Sequence, residues 1–370
     1  MADLPTHLVP ADTLRGFVAA IFNKAGCDAD EAAGIAFHLV SANLTGHDSH
    51  GVIRVPRYVD DIRTGRTLVG QTVGVLAESA THAVLDGKNG FGQTIGPQAV
   101  DIGIAKARVA GLAVVALRHS GHLGRIGDWG ERAATAGLIS IHFVNVDNGE
   151  LVAPFGGTAR RFSTNPVCIG IPPLAGRPML LLDMATSVVA EGKVLVASNG
   201  GKPVPEGALI GADGRLSSDP AALYGPLVQN GPRDPMTGTG ALRAFGEHKG
   251  SGLAFMCEIL AGVLTGGGTS GPMHGQDRRI SNGMLSIYLD PAHFGAQDLA
   301  RRTMDYVDYV KSSPPAAGVE EVLAPGEPEA RNQAARQAHG VPLQVDVWVN
   351  LCTIATGFGI AIPGGRALHD

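Results

Sequence analysis

The sequence predicts a mixed α/β fold, and two observations carry this prediction. From Thr81 onward, short runs of β-forming residues alternate with stretches of helical periodicity, a mixture that is typical of α/β domains. At 370 residues, the chain is long enough for two domains or one elaborate domain, because domains commonly hold about 100–200 residues. A chain of this length also buries a large core without disulfides or a structural metal.

The composition excludes several classes of protein. Glycine (52) and proline (23) together make up about a fifth of the chain, below the roughly 25–30% at which disorder is expected. The formal charge of −5 argues against a nucleic-acid partner. No uninterrupted apolar run reaches the roughly 18 residues of a membrane span, and the first residues lack the features of a signal peptide. We therefore expect a globular, cytoplasmic protein.

Apolar residues at helical spacing predict two helices at the start of the chain. The first helix is followed by Gly26, a typical stop, and the second begins at Asp28, which has Glu31 at the spacing of a capping box. The inward-facing residues are Leu14, Phe17, Val18 and Ile21 in the first helix, and Ile35, Leu39 and Ala42 in the second.

The middle of the chain predicts strands, one long loop region and a further helix. Strands are expected at residues 83–86, 112–117, 138–144, 167–171, 179–183 and 284–289, and helices at residues 124–136 and 249–264. Residues 199–235 are dense in Gly, Pro, Ser and Asp and predict long loops. From residue 325 to about 359, helical runs return. We expect residues 1–75 and 325–370 to form one helical domain, and residues 76–324 to form an α/β domain.

Several motifs of enzyme families are missing or fail in their context. The sequence has no G-x-S-x-G elbow, no P-loop and no H-E-x-x-H motif. One G-x-G-x-x-G occurs at residues 266–271, but it follows a predicted helix, whereas the dinucleotide-binding fingerprint follows a strand. Any nicotinamide cofactor should therefore bind without an ordinary Rossmann turn. Three of the four cysteines, Cys168, Cys257 and Cys352, lie in apolar stretches and are interpreted as core residues.

Two pairs of histidines lie at predicted turns close to arginine. His47 and His50 precede Arg54, and His119 and His122 follow the strand at 112–117. Reduction of a 2-oxo acid needs a cation for the carboxylate, for which arginine is suited, and a proton donor of near-neutral pKa, for which histidine is suited. His50 with Arg54, and His122, provide these groups. The alternatives are solvated turn histidines without a role, and a His-rich metal-binding protein or hydrolase with a four-histidine site.

Seven motifs, in order along the chain, resemble those of the type 2 malate/L-lactate dehydrogenase family. They are residues 42–51 (ANLTGHDSHG), 121–127 (GHLGRIG), 152–157 (VAPFGG), 164–166 (TNP), 183–187 (DMATS), 247–250 (EHKG) and 324–327 (APGE). The resemblance implies a non-Rossmann NAD(P)-binding domain at residues 76–324, with either NAD or NADP as cofactor. It also implies a homodimer with the active site near the subunit interface, and no metal.

The resemblance further assigns roles to single residues. His50 and His122 are the expected proton-transfer and substrate-holding residues, with Arg54 as carboxylate partner and Ser49 as a supporting hydroxyl; the choice between the histidines stays open. Arg125 is expected to pair with a pyrophosphate or a carboxylate. The implied cofactor contacts are Gly124, Arg125, Ile126, Leu181, Leu182, Asp183, Met184, Ala185, His248, Asn282, Ala324, Pro325, Gly326 and Glu327.

The expected reaction is hydride transfer between a nicotinamide cofactor and C2 of a small 2-hydroxy or 2-oxo acid. The family also contains enzymes that act on cyclic imino acids, on ureidoglycolate, on sulfolactate and on sugar acids, so these substrates remain open. The choice of substrate depends on loops, whose path the sequence does not give.

Overall fold

The computed structural model describes residues 6–173, 176–200, 203–226, 234–271, 279, 281–295 and 297–364. The helices are α1 (Ala11–Lys24), α2 (Ala29–Leu44), α3 (Val55–Arg63), α4 (Gly92–Ala110), α5 (Gly127–Thr135), α6 (Glu191–Gly200), α7 (Ala221–Tyr224), α8 (His248–Cys257), α9 (Leu299–Lys311), α10 (Glu327–His339) and α11 (Val345–Gly357). Short 3-10 helices cover Asp48–His50, Val52–Arg54 and Pro291–Phe294, and a π-helix, Glu258–Val263, continues α8.

The strands are distributed over three sheets. They are β1 (Thr6–Val9), β2 (Gly74–Glu78), β3 (His82–Asp86), β4 (Leu112–Ser120), β5 (Ile139–Asp147), β6 (Val152–Ala153), β7 (Val167–Ile171), β8 (Leu180–Met184), β9 (Leu209–Ile210), β10 (Leu216–Ser217), β11 (Ala241–Arg243), β12 (Ser281–Leu289) and β13 (Val341–Gln344). The largest sheet has the order β2-β3-β4-β12-β5-β7-β8; the other orders are β10-β9-β11-β6 and β1-β13.

The seven-stranded sheet does not have the topology of a Rossmann fold. Within it, only β3 and β4 pair in parallel, through the crossover helix α4; the other neighbours are antiparallel. A Rossmann sheet is mostly parallel, with the cofactor at the reversal of strand order. The G-x-G-x-x-G at residues 266–271 follows the π-helix, not a strand. The prediction of a mixed α/β fold without a Rossmann turn is confirmed.

Helices from both ends of the chain share one hydrophobic core. Leu14 of α1, Ile35 of α2, Tyr58 of α3 and Leu351 of α11 are buried in the same cluster. Strand β1 also pairs with β13 in antiparallel register, which ties the two ends together by backbone hydrogen bonds. Asp28 caps α2 as predicted, since its carboxylate accepts a hydrogen bond from the Glu31 amide at 2.8 Å. The boundaries of the two expected domains stay a prediction.

Two further cores lie against the sheets. One lies between the seven-stranded sheet and helices α4 and α5, with Trp129 and Tyr288 among its largest buried side chains. The other surrounds the small sheet and includes Leu209, Tyr224 and Ala254. All four cysteines are buried and free, which confirms the interpretation of Cys168, Cys257 and Cys352 as core residues. Among the described residues, no helix is both long and apolar enough to cross a membrane.

The predicted loop region contains more structure than its composition indicates. Strands β9 and β10 and helix α7 lie within residues 199–235, while residues 201–202 and 227–233 lie outside the described residues. Strands of two residues and a helix of four residues are too short to show a period in the sequence. The same reason explains why β1 and β13, of four residues each, were not predicted.

Candidate active site

The segment between α2 and α3 carries His47, Ser49, His50 and Arg54. The side chain of Asn43, at the end of α2, forms two hydrogen bonds with this segment. Its Nδ2 donates to Asp48 Oδ1 at 2.6 Å, and its Oδ1 accepts from the Val52 amide at 2.9 Å. A Cβ atom on Gly51 would lie 2.2 Å from Asn43 Oδ1, so this close approach requires glycine. The backbone on both sides of His50 is thereby fixed.

The segment that carries His122 follows the end of β4. The Gly121 amide donates to the Gly90 carbonyl at 2.7 Å. Asn282, buried on β12, accepts from the Leu123 amide through Oδ1 at 2.8 Å and donates from Nδ2 to the Asn145 carbonyl at the same distance. These contacts position residues 121–123 from both sides, so the site is built on sheet ends that are held by buried hydrogen bonds.

The two segments bring His50 and His122 together. Their rings stack with a centroid distance of 5.6 Å and an interplanar angle of 12°. His50 Nδ1 lies 3.1 Å from Ser49 Oγ, and His122 Nδ1 lies 2.6 Å from Tyr58 Oη. The sequence predicted the two histidines as partners in one site, and they are neighbours across 72 residues of chain.

The surroundings favour the neutral form of both rings. Burial lowers the pKa of His50 well below its ordinary value, and the neighbouring His122 and Arg54 add to this effect. Burial, followed by the charges of Arg54 and Arg57, lowers the pKa of His122 to about 3. Nearby positive charge and a dry environment both disfavour a protonated imidazole. An anion bound beside these rings would raise their pKa values.

Arg54 lies beside the histidine pair and has two contacts of its own. Its Nε donates to the Ser49 carbonyl at 2.6 Å, and its Nη2 donates to Glu191 Oε2 at 3.3 Å. Glu191, the first residue of α6, also accepts a hydrogen bond from the Tyr224 hydroxyl. The guanidinium is thus held in one orientation next to the residue that precedes His50.

A cavity of about 640 Å³ opens beside His50. Its walls come from the Ser49–His50 segment, from the start of α6, and from α10 and β13 near the end of the chain. Six of the expected cofactor contacts line it: Gly124, Arg125, Ile126, Asp183, Met184 and Ala185. A volume of this size is typical of small-molecule and cofactor sites.

The profile of the malate/L-lactate dehydrogenase family matches residues 9–352. The chain belongs to this malate/L-lactate dehydrogenase family.

Three relatives show how wide the similarity is. Hydroxycarboxylate dehydrogenase B of Escherichia coli strain K12 is 40% identical over 356 residues, which cover 96% of this chain and 95% of that protein. The Δ1-pyrroline-2-carboxylate/Δ1-piperideine-2-carboxylate reductase of Pseudomonas putida is 33% identical over 337 residues, which cover 90% and 92%. The structure of malate dehydrogenase from Pyrococcus horikoshii OT3 matches with a TM-score of 0.84 and 28% identity, covering 98% and 99%.

Membership of the malate/L-lactate dehydrogenase family makes the protein an oxidoreductase of the hydroxyacid dehydrogenase or reductase type. The family implies a nicotinamide cofactor and a small hydroxy- or oxo-acid substrate. The cavity fits such a group, because its volume of about 640 Å³ is within the range of cofactor sites and both polar and apolar residues line it, Asp183 and Ile126 among them.

The guanidinium of Arg125, which is predicted to pair with a pyrophosphate or a carboxylate of a ligand, contacts carboxylates of the protein itself. Its side chain is fully buried and donates to Asp128 at 3.0 Å and to Glu131 at 2.7 Å. Burial alone disfavours the charged form, but Asp128 and Glu131 outweigh it and raise the pKa of Arg125. Asp183 lines the cavity, and burial raises the pKa of its carboxyl. The guanidinium of Arg125 is therefore paired with carboxylates of the protein, in a residue that lines the cavity.

The other cofactor contacts carried over from the family do not line this cavity. Asn282 is occupied with Leu123 and Asn145, as described above. The Leu181 amide donates to the Pro325 carbonyl at 3.2 Å, so residues 324–326 pack against β8, which also contains Leu182. Glu327 accepts from the Ala324 amide at 2.9 Å and from Lys311 at 2.6 Å. Their part in cofactor binding stays a prediction.

His248 lies at a different place, at the exposed start of α8. Its ring is 6.0 Å from that of Phe155, which lines a second cavity of about 330 Å³ together with Glu247 and Arg243. The contact of His248 with the cofactor likewise stays a prediction.

One residue that lines the main cavity was missed by the sequence reasoning. Lys193, in the first turn of α6, is exposed, and within the described part of the chain its ammonium has no carboxylate partner. By contrast, Arg54 is paired with Glu191, and His47 lies 3.4 Å from Glu329. A lone lysine beside a glycine has no sequence pattern that would single it out.

The histidines do not assemble as the metal-site alternative requires. His119 pairs with Asp86 at 3.0 Å, at the other side of the turn from His122, and His47 faces α10. Among the residues that the structure describes, no group of three or more His, Cys, Asp and Glu side chains is arranged to hold a metal ion.

Proposed function

We propose that the protein transfers a hydride between a nicotinamide cofactor, NAD or NADP, and C2 of a small 2-hydroxy or 2-oxo carboxylic acid. The observation that carries this proposal is the stacked His50–His122 pair beside Arg54, of which His50 lines a cavity of about 640 Å³, in a member of this family. Proton transfer, anion binding and a cofactor-sized space thus occur side by side. The expected cellular compartment is the cytoplasm.

His50 is the proposed proton-transfer residue. It lines the cavity, and its Nδ1 contacts the hydroxyl of Ser49, which either donates or accepts a hydrogen bond. In the neutral state His50 is ready to accept the hydroxyl proton when a 2-hydroxy acid is oxidised. In the reverse direction, the substrate carboxylate raises the pKa of the ring, so that it carries the proton that the developing alkoxide takes up.

Arg54 is the proposed partner of the substrate carboxylate, since a guanidinium fork matches a carboxylate. Its fixed orientation beside Ser49 places this charge next to His50. Lys193 supplies a further positive charge, at the cavity that His50 lines. Together they favour a substrate with at least one carboxylate.

The cofactor would be held by the backbone of Gly124, Arg125 and Ile126, which leads into the start of α5, and by Asp183, Met184 and Ala185 at the end of β8. A helix start carries partial positive charge, which favours nearby negative charge; here the Gly127 amide already donates to Asp183 Oδ2 at 2.8 Å. When bound, the nicotinamide supplies or receives the hydride. The chain itself positions the acid and moves the proton at His50.

A cyclic imino acid is the second candidate substrate. It is supported by the 33% identity with the pyrroline- and piperideine-carboxylate reductase of Pseudomonas putida. Such a substrate has the same carboxylate beside a C=N bond instead of a C=O bond. The same arginine and histidine would serve it.

The test is the loss of NADH or NADPH absorbance, measured separately with pyruvate, oxaloacetate, 2-oxoglutarate, phenylpyruvate and one cyclic imino acid. We expect turnover with at least one oxo acid, and a His50→Gln variant with roughly 10²–10⁴-fold lower kcat. Turnover of the imino acid alone would favour the second candidate. No turnover of any compound by folded protein that binds the cofactor would contradict both.

A further inference from the structure

We infer that a hydrogen-bond chain from Gln93 through Tyr58 fixes His122 as a neutral ring with its hydrogen on Nε2. In this state the ring is a permanent hydrogen-bond donor, and Tyr58 and Gln93 are positioning residues for it. The assignment of the ring hydrogen depends on contacts alone. Its use, donation to the oxygen at substrate C2, rests on the proposed function.

The chain joins three separate elements. Gln93 is in the first turn of α4, Tyr58 is on α3, and His122 follows β4. Gln93 Nε2 lies 3.2 Å from Tyr58 Oη and 3.3 Å from the His122 carbonyl oxygen, and Tyr58 Oη lies 2.6 Å from His122 Nδ1. All three contacts are within hydrogen-bonding distance.

The carbonyl oxygen of His122 decides the orientation of the Gln93 amide. A backbone carbonyl only accepts hydrogen bonds, so the Gln93 atom facing it must be the NH₂ group. Turning the amide over would bring Gln93 Oε1 to about the same place, with two acceptors in contact. This orientation leaves Gln93 Oε1 buried without a partner among the described residues, a cost that the two donated hydrogen bonds offset.

The orientation of Gln93 then determines the direction of the remaining bonds. The NH₂ group of Gln93 donates to Tyr58 Oη. If Tyr58 Oη also accepted from His122, its own buried hydrogen would have no partner among the described residues, which is costly. The hydroxyl hydrogen of Tyr58 therefore donates to His122 Nδ1. A ring nitrogen that accepts a hydrogen bond carries no hydrogen. The hydrogen of the neutral His122 ring is therefore on Nε2.

The surroundings keep each member in the required protonation state. Tyr58 is only 3% exposed and packs against Phe91 and Phe22, with centroid distances of 5.7 Å and 6.4 Å. Burial raises the pKa of Tyr58 to about 12, so its hydroxyl keeps its hydrogen at neutral pH. Burial together with Arg54 and Arg57 keeps the His122 ring neutral.

The two stacked histidines consequently differ in what they can do. His122 is held in one tautomer by a donor that cannot reverse, whereas His50 contacts the Ser49 hydroxyl, which turns freely between donor and acceptor. A fixed donor stabilises negative charge on the substrate oxygen without losing its hydrogen. The choice between the two histidines that the sequence left open thereby resolves: His50 exchanges the proton, and His122 donates a hydrogen bond throughout.

The direct test is nitrogen NMR of protein labelled with ¹⁵N at its histidine rings, recorded without substrate at neutral pH. Correlations between ring nitrogens and ring protons distinguish the two neutral tautomers, and the signals that vanish in a His122→Gln variant identify His122. We expect a hydrogen on Nε2 in the wild type, and a mixture of tautomers in Tyr58→Phe. The control is Tyr288→Phe, which removes the hydroxyl of a buried tyrosine on β12 next to His142, and it should leave the His122 signals unchanged. A hydrogen on Nδ1 in the wild type would overturn the inference.

Kinetics test whether the fixed donor matters. We expect Tyr58→Phe to lower kcat about 10- to 100-fold, while KM for the oxo acid changes by less than about threefold, because the donor acts on developing charge. Tyr288→Phe should retain the wild-type kcat. A wild-type kcat in Tyr58→Phe, despite mixed tautomers, would remove the positioning role. If no oxo acid or imino acid is turned over, the NMR result still decides the tautomer, so failure of the proposed function is seen separately.

Discussion

At the scale of single residues, the positively charged side chains around the site differ in their ion-pair partners. Arg54 has a carboxylate partner in Glu191, and the guanidinium of Arg125 is enclosed by Asp128 and Glu131. Lys193 is exposed to the cavity. An arginine side chain that is fully enclosed by its partners is not available to a substrate anion. If it moved away, the buried Asp128 carboxylate would lose its ion-pair partner. Arg54 is therefore the arginine that we expect to respond to the substrate.

Replacement of Arg54 tests this role. Arg54→Ala should raise KM for the oxo acid about 10- to 100-fold, since a hydrogen bond to a charged group contributes about 1.5–3 kcal/mol, and should leave the Kd of the cofactor little changed. Arg54→Lys should restore only part of the loss because the planar fork is absent. Steady-state kinetics and cofactor titration measure both quantities.

The control for Arg54 is Arg301→Ala on α9. Arg301 is also paired with carboxylates, Asp298 and Asp305, but at an exposed surface. It should leave KM at the wild-type value. An unchanged KM in Arg54→Ala would remove Arg54 from the substrate site.

Residue types and their spacing predicted the histidine pair and Arg54, because imidazole and guanidinium are needed for the expected chemistry wherever the chain brings them together. Tyr58 and Gln93 were not predicted. Their contacts with His122 span 64 and 29 residues of sequence and depend on how α3 and α4 pack, which no local pattern shows. Lys193 was missed for a similar reason, since only the packing of α6 against Ser49 brings it to the cavity.

At the scale of elements, the packing of α6 on the histidine segment is tight. A Cβ atom at Gly192 would lie 2.3 Å from the Cβ of Ser49 and 3.1 Å from its Cα. Gly192→Ala should therefore push α6 away from Ser49 and Arg54 and lower kcat/KM at least about 10-fold, with the circular-dichroism spectrum unchanged.

A matched glycine in another helix provides the comparison. Gly16 in α1 has nothing within 4 Å of its Cβ position. Gly16→Ala should keep full activity and gain up to about 1 kcal/mol of stability, as expected for alanine inside a helix. Equal activity of the two variants would show that the contact of α6 with Ser49 does not shape the site.

The central sheet carries a buried histidine outside the site, which predicts acid sensitivity. His142 on β5 is fully buried between Ser286 Oγ, 2.8 Å from its Nδ1, and Ser140 Oγ, 2.9 Å from its Nε2. Burial lowers its pKa from 6.5 to about 3. Below pH 6.5 the unfolded chain takes up a proton at this residue and the folded chain does not. Stability is therefore complete above about pH 6.5 and falls as the pH drops toward 3.

Urea unfolding between pH 7 and pH 5 measures this effect. The contribution of one such group approaches about 1.4 kcal/mol per pH unit, so His142→Gln should lose less stability on acidification than the wild type. His82→Gln, at an exposed position on β3, should keep the wild-type slope. If His142→Gln and the wild type have the same slope, His142 is not the source of acid sensitivity.

Helical periodicity identified α1, α2, α5 and α8 because each of these helices shows its apolar pattern within one continuous segment. Six of the seven strands of the central sheet were also located, since a run of β-forming residues is local; β2 was not predicted. Their order was not predictable, because β12 pairs with β4 and β5 across more than 130 residues of chain. The pairing of β1 with β13 joins opposite ends of the chain and has no local signature at all.

At the scale of the whole molecule, the homodimer expected from the family resemblance stays a prediction. Large apolar side chains of α8, of the π-helix and of the residue that follows it are more than half exposed: Phe255, Met256, Val263 and Leu264. Clustered exposure of this kind is uncommon on monomers and supports the prediction. Light scattering coupled to size exclusion should give twice the chain mass of 38.0 kDa. A mass of one chain at micromolar concentration would contradict it.

In the proposed reaction, hydride passes directly between the nicotinamide and C2 of a carboxylic acid, while a side chain of the protein transfers the proton. The most direct measurement uses reduced cofactor deuterated at C4 of the nicotinamide, with the best oxo acid in ordinary water, followed by mass spectrometry and NMR of the product. We expect a product with one deuterium at C2 and a hydroxyl hydrogen from solvent. A product whose C2 hydrogen comes from solvent would contradict it.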